Sequence, residues 1–203
     1  MHLPLVRKAA LAMAIASAGA ASPAVAQVRG FSLGFEGLYS NLTSTSDNFS
    51  SDDEFGYRFG ATVTLARERF FLQPGVFYQD AGFILSGGSE ARYQDDVRVR
   101  GIHVPVLAGI NLGVPKVNVE LTAGPTVTFR TGINDNLFGI DSDATNPVLF
   151  GATVGATARV MFLNATLGYD FGFTNLFTDG ARESYGDGNL NHWRLSVGFI
   201  VGG

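Results

Sequence analysis

Residues 117–130, VNVELTAGPTVTFR, alternate without a break. Val117, Val119, Leu121, Ala123, Pro125, Val127 and Phe129 fall on one side, and Asn118, Glu120, Thr122, Gly124, Thr126, Thr128 and Arg130 on the other. A side-chain period of two marks a β-strand with one apolar and one polar face. Seven further stretches share the period: Phe31 to Ser40, Tyr57 to Leu65, Phe70 to about Leu85, Val97 to Leu112, Val148 to Val160, Leu163 to Phe173 and Trp193 to Val201. The third is less regular, and the fourth changes phase near Arg100-Gly101, which predicts a β-bulge there. The pattern predicts eight strands and no helix.

The connections alternate in length. Long polar links run 41–56, 86–96, 131–147 and 174–190, and between them lie short ones at 66–69, 113–116 and Met161-Phe162. A two-residue hairpin pairs Val160 with Leu163, and four-residue turns pair Leu65 with Phe70 and Leu112 with Val117, in each case apolar with apolar. Short turns at one end and long loops at the other are the arrangement of a transmembrane β-barrel, with both mature termini at the short-turn end.

The next question is which face looks inward. The apolar rows run about ten residues, enough for a tilted strand to cross a bilayer. Aromatics gather near strand ends as Phe31, Tyr39, Tyr57, Phe70, Tyr78, Phe129, Phe173 and Trp193, where interfacial girdles sit. The polar rows are mostly Gly, Ser and Thr, which suit the cramped interior of an eight-stranded barrel and make a poor solvated surface. A soluble barrel requires bulky apolar residues inside and many charges outside. The fold class predicted is therefore all-β: an eight-stranded antiparallel up-and-down transmembrane β-barrel with its apolar face toward lipid.

Composition narrows this further. Arg7 and Lys8 precede an Ala-rich apolar run, and Ala24-Val25-Ala26 fits a small-x-small cleavage site. Residues 1–26 read as a cleaved secretory signal peptide and 27–203 as one domain. There is no cysteine, so neither a lipid anchor nor a disulfide is expected. Two of the 14 basic residues leave with the leader, so 12 face 18 acidic ones in the mature chain, and Lys116 is its one lysine. No basic stripe is present, which excludes nucleic acid as a partner. An exported chain of this kind belongs in the outer membrane of a Gram-negative bacterium, as a monomer in contact with outer-membrane lipid and delivered by the barrel assembly machinery.

FFLQPGVFYQDAGF (70–83), IHVPVLAGINL (102–112) and TAGPTVTF (122–129) resemble the PorT-like outer-membrane β-barrel family, porin-like small barrels common in Bacteroidota. Leu72, Pro74, Tyr78, Gly82, Phe83, Ile102, Pro105, Leu107, Gly124 and Pro125 carry the resemblance, which spans essentially the whole mature chain. Its motifs are structural signatures rather than chemistry. One departure is the C-terminus: Phe199 is followed by Ile-Val-Gly-Gly, where such barrels usually end on an aromatic residue. The resemblance implies a membrane protein acting structurally or through protein contacts at its loops or periplasmic turns.

The polar face carries Glu36, Glu120 and Asp170 against Arg58, Arg130, Arg159 and Arg194. Charges inside a narrow barrel must pair, because an isolated one costs several kcal/mol or more. Glu120 and Arg159 sit on neighbouring strands at similar height, as do Asp170 and Arg194. These seven residues form either a structural plug of salt bridges or a polar conduit; an eight-stranded lumen filled by its own side chains favours the plug. His192 shares a face with Ser196, which leaves a lipid-modifying enzyme as a third reading, but no glycine-flanked nucleophile accompanies the pair. His103 lies within a strand, and His192 is expected to be solvated at a loop edge. The long loops hold thirteen acids against Arg92 and Arg182. DNLFGIDSDATN (135–146) offers oxygen ligands without the EF-hand spacing, and solvated acidic loops are the simpler account. Neither a cofactor nor a metal is expected, and no catalytic role is assigned: the leading function is non-enzymatic, with a narrow channel for small solutes as the alternative.

Overall fold

The computed structural model describes residues 27–44, 49–87, 93–113 and 117–201. The expected signal peptide and the connecting residues 45–48, 88–92 and 114–116 lie outside them. Among the described residues there are eight strands: β1 (Gln27–Ser44), β2 (Phe49–Arg67), β3 (Phe70–Gly87), β4 (Tyr93–Asn111), β5 (Asn118–Ile133), β6 (Val148–Val160), β7 (Leu163–Gly172) and β8 (Gly188–Val201). Each pairs antiparallel with the next, and β8 returns to β1 with Val197 opposite Phe35, closing an up-and-down barrel.

The expected hairpin at Met161-Phe162 is present, with Val160 opposite Leu163. The other two short connections differ from expectation in register, and the β2–β3 turn is the tighter for it. Arg67 lies opposite Phe70, so Leu65 faces Leu72 rather than Phe70. Glu68 takes a left-handed conformation at φ 57°, as Met161 does at 54°, and that conformation is what lets two residues reverse the chain. Leu112 donates to the Val119 carbonyl at 2.8 Å rather than pairing with Val117. Both registers shift by two residues, so the apolar face stays on one side.

The strands run past the expected ends. β1 to β4 have 18 or 19 residues each, about twice what a tilted strand needs to cross a bilayer. The surplus lies at the long-loop end. There the inward side chains turn apolar: Leu42, Phe83, Leu85, Val97, Val99 and Leu190 pack with Ile140, Leu176 and Phe177 of the loops into one core. At Arg100-Gly101 the pairing with β5 slips, Arg100 facing Gly132 and Gly101 facing Arg130, which leaves Thr131 of β5 unpaired. The alternation of β4 itself is unbroken, because Val97, Val99, Gly101 and His103 are all buried. The β-bulge expected at Arg100-Gly101 is thus present in the β4–β5 pairing with its extra residue on β5, while the change of phase within β4 is an inversion of environment along one regular strand.

One helix, α1 (Asp179–Tyr185), interrupts the β7–β8 connection, where none was expected. Seven residues are two turns, too few to show a helical period, and tertiary contacts hold them. Tyr185 donates to the Phe138 carbonyl at 2.6 Å and stacks on Phe177 at 5.3 Å. Asn146 joins the two loops by donating to the carbonyls of Asn175 and Phe177 at 2.8 and 3.0 Å. Together these segments cap the loop end of the barrel.

Candidate functional site

Among the described residues the lumen concentrates buried charge. Glu36 of β1 lies directly opposite Arg58 of β2 in the strand register, and Arg58 lies opposite Gln79 of β3. From the far wall, Asp170 of β7 reaches across to Arg58. Arg58 Nη1 lies 3.1 Å from Glu36 Oε2 and 3.0 Å from Asp170 Oδ2, while its Nε and Nη2 donate to Gln79 Oε1. Arg194 of β8 closes the circuit at 3.0 Å from Glu36 Oε1 and 3.6 Å from Asp170 Oδ1. Each carboxylate therefore holds two guanidiniums, and Thr153 donates to Asp170 as well. The side chains are 2–9% exposed. Two positive and two negative charges sum to zero, which is how a low-dielectric lumen tolerates them.

Glycine makes room for this ring. A Cβ at Gly168, opposite Arg194 in the β7–β8 register, would stand 2.7 Å from Arg194 Nη2. The opposite case holds nearer the short turns, where a large side chain fills space that glycine leaves. A Cβ at Gly60 would meet Phe77 Cα at 2.6 Å and its ring at 2.8 Å.

Glu120 and Arg159 form a separate pair at 3.2 Å on the turn side of the ring, with Asn111 within 3.5 Å of Glu120. Arg130 joins neither group. Its guanidinium donates to Ser142 Oγ and to the carbonyls of Ser142, Thr145 and Asn146 at 2.9–3.2 Å, pinning the β5–β6 loop. It lies toward the loop end of β5, where the β5–β6 loop folds back and offers its carbonyls to the guanidinium. So of seven expected lumen charges, four make the ring, two make a pair and Arg130 is a loop anchor.

His103 lies within β4 as expected, but His192 differs from expectation. His192 is buried and hydrogen-bonds Ser40 at 2.7 Å rather than lying solvated at a loop edge, and Ser196 is not its partner. The cause is the length of β8, which begins at Gly188 and carries His192 inside. His103 is likewise buried against Thr128 at 2.9 Å. Two small cavities flank the ring. One of about 60 Å³ on the turn side is lined by hydroxyls of Ser32, Thr122, Thr157, Thr166 and Ser196, and by Glu36 and Arg194. The other, about 30 Å³, lies against Arg58, Gln79 and Asp170 with both histidines. At roughly 10–15 Å³ per water centre, these hold a handful of waters and no solute.

Outside, the apolar rows are exposed. Tyr39, Trp193 and Tyr169 lie opposite one another on three adjacent strands, and Tyr78 contacts Tyr57 and Phe59 at 6.5 and 5.3 Å. Phe31, Phe70, Phe129 and Phe173 are 41–67% exposed on the same surface. Just beyond this aromatic band an outward ion cluster was not anticipated: Asp80 lies 3.1 Å from Arg100 and 3.5 Å from Arg98. In the loops Asp141 Oδ1 accepts from the amides of Asp143 and Ala144 at 2.9 and 3.0 Å, a turn role. Arg182 of α1 hydrogen-bonds Asp187, which raises its pKa. Among the described residues no cluster of three or more potential metal ligands occurs.

A closed eight-stranded barrel, apolar outside and lined with a charge-balanced network, is a small outer-membrane-type β-barrel. A family model described as outer membrane protein beta-barrel domain matches residues 25–178, and the chain belongs to this family. Among solved structures, Neisserial surface protein A superposes with a TM-score of 0.52 at 10% identity, covering 85% of this chain and 98% of that one. Ail, the attachment invasion locus protein of Yersinia pestis, follows with 0.48 at 12% identity over 85% and 99%. OprG from Pseudomonas aeruginosa gives 0.46 at 6% identity over 87% and 98%. At these identities the likeness is one of fold. No curated protein sequence matches the chain.

Proposed function

We propose that this chain is a sealed, non-enzymatic outer-membrane barrel of the PorT-like type, which acts structurally and through protein contacts at its loops or periplasmic turns. The observation that carries the reading is closure at two levels. The Glu36–Arg58–Asp170–Arg194 ring spans the lumen, and above it the apolar core of Phe83, Leu85, Val97 and Val99 is covered by the two packed loops. The small, water-sized cavities on either side of the ring support the same conclusion. The loop cap is braced by Arg130, Asn146 and Tyr185, which suits a preformed contact surface at the outer face.

A narrow channel remains the second reading, favoured by the hydroxyl lining of the cavity on the turn side, which a shift of the ring would connect to its neighbour. Planar-bilayer recording of the purified mature chain separates the two. A sealed lumen gives no steady current. A steady ion-selective current that changes selectivity on Glu120→Gln supports the channel.

A further inference from the structure

The β2–β3 turn carries two arginines whose side chains have no partner among the described residues. Arg67 ends the outward row of β2, directly opposite Phe70, and continues the lipid-facing line of Leu65 and Leu72. Arg69 follows in the turn itself. Both are exposed, and neither has an ion-pair or side-chain hydrogen-bond partner among the described residues. Among the other strand arginines, Arg29 at the start of β1 is also exposed without an ion pair among the described residues, whereas Arg58 and Arg194 hold the ring, Arg98 and Arg100 hold Asp80, Arg130 holds a loop and Arg159 holds Glu120. Phe70 beside the pair is 67% exposed, so the two guanidiniums stand at the border of the apolar belt.

We propose that Arg67 and Arg69 bind the phosphate of an anionic phospholipid headgroup in the leaflet on the short-turn side. An arginine at the end of a lipid-facing row lays its alkyl stem along the belt and puts its guanidinium at headgroup depth. Guanidinium donors match phosphate oxygens bidentately. Basic residues at this depth attract anionic lipid, and the effect decays within a Debye length. Two arginines around one carboxylate, Glu68, leave a net positive turn. At the other end, by contrast, Arg98 and Arg100 are matched by Asp80 and Asp96. The proposal rests on the barrel's lying in a membrane and is independent of whether the lumen is sealed.

The test uses the mature chain reconstituted in phosphatidylcholine vesicles with trace spin-labelled phosphatidylglycerol or phosphatidylcholine, reading the motionally restricted fraction of each label. The wild type should prefer the phosphatidylglycerol label by roughly threefold to tenfold at low salt, with the preference shrinking in about 0.5 M salt. Arg67→Gln with Arg69→Gln should bring the ratio close to one, and Arg67→Lys with Arg69→Lys should retain most of it. Arg182→Gln, at the opposite end, should leave it unchanged. No preference in the wild type, or the same preference in the glutamine pair, would overturn the proposal.

Discussion

The membrane belt and the loop end of this barrel are built from the same strands with opposite chemistry. Within the belt, β3 points Val76 outward at 57% exposure and Gln79 inward. A few residues on, the same strand points Phe83 and Leu85 inward, both nearly inaccessible. β4 reverses in step: Val106 faces out in the belt, whereas Val97 and Val99 face in beyond it and Arg98 and Arg100 take the outside. The crossover falls where Gln79, Asp80, Arg100 and Gly101 meet in the strand register. The period of two establishes only that these are strands. Which alternate residue is apolar reports the solvent on each side, lipid in the belt and water above it.

The comparison can be broken most severely at the ring. Arg58→Met leaves Arg194 alone against Glu36 and Asp170 and takes away the partner of Gln79, and removing one partner of such a buried network costs about 3–5 kcal/mol. Urea unfolding in lipid vesicles, followed by the change in gel mobility on heating, should show the loss. At the loop end the vulnerable face is apolar, so Phe83→Ala should cost about as much, roughly 3–5 kcal/mol, through an unfilled core. Asp96→Asn, half-exposed above the belt, should leave stability close to wild type by the same measurement. In the belt the sensitivity moves outward: Val154→Arg should lose about 2–4 kcal/mol, while Thr122→Ser on the lumen side should be nearly silent.

Smaller effects sharpen the account. Glu120→Gln and Arg159→Met should each destabilise, and the double variant should lose less than the sum, with a coupling of about 0.5–3 kcal/mol. Additivity would mean that the 3.2 Å contact holds nothing together. Smallest of all should be Arg100→Gln, because Arg100 is itself half-exposed and Arg98 stays beside the buried Asp80, so the unfolding midpoint should be indistinguishable from wild type.

The belt was legible in the sequence because lipid tolerates no compromise: Leu121, Ala123, Val127 and Phe129 must all face it, so alternation is strict. Residue types and neighbouring positions likewise located Glu120 beside Arg159. The four-membered ring was only half legible, since Arg58 meets Asp170 across the barrel, 112 residues away, and strand neighbours say nothing about cross-lumen reach. The loop-end core left its signal in two places, the irregularity of the third stretch and the change of phase at Arg100-Gly101. Both read as local defects until the environment on each side is known. His192 was misjudged because β8 extends beyond its apolar row, so a residue at the edge of the pattern lies well inside the barrel; Arg130 was misjudged because a loop folds back to meet it.

The central claim, that the loop end is a dry core rather than a water-filled vestibule, can be measured directly because the chain contains no native cysteine. Val99→Cys should react with a water-soluble maleimide no faster than the folded barrel unfolds, whereas Asp52→Cys, exposed near the loop end of β2, should label within minutes. Rapid labelling of Val99→Cys in a barrel that still shifts mobility on heating would contradict the account, because water would then reach the ring from above.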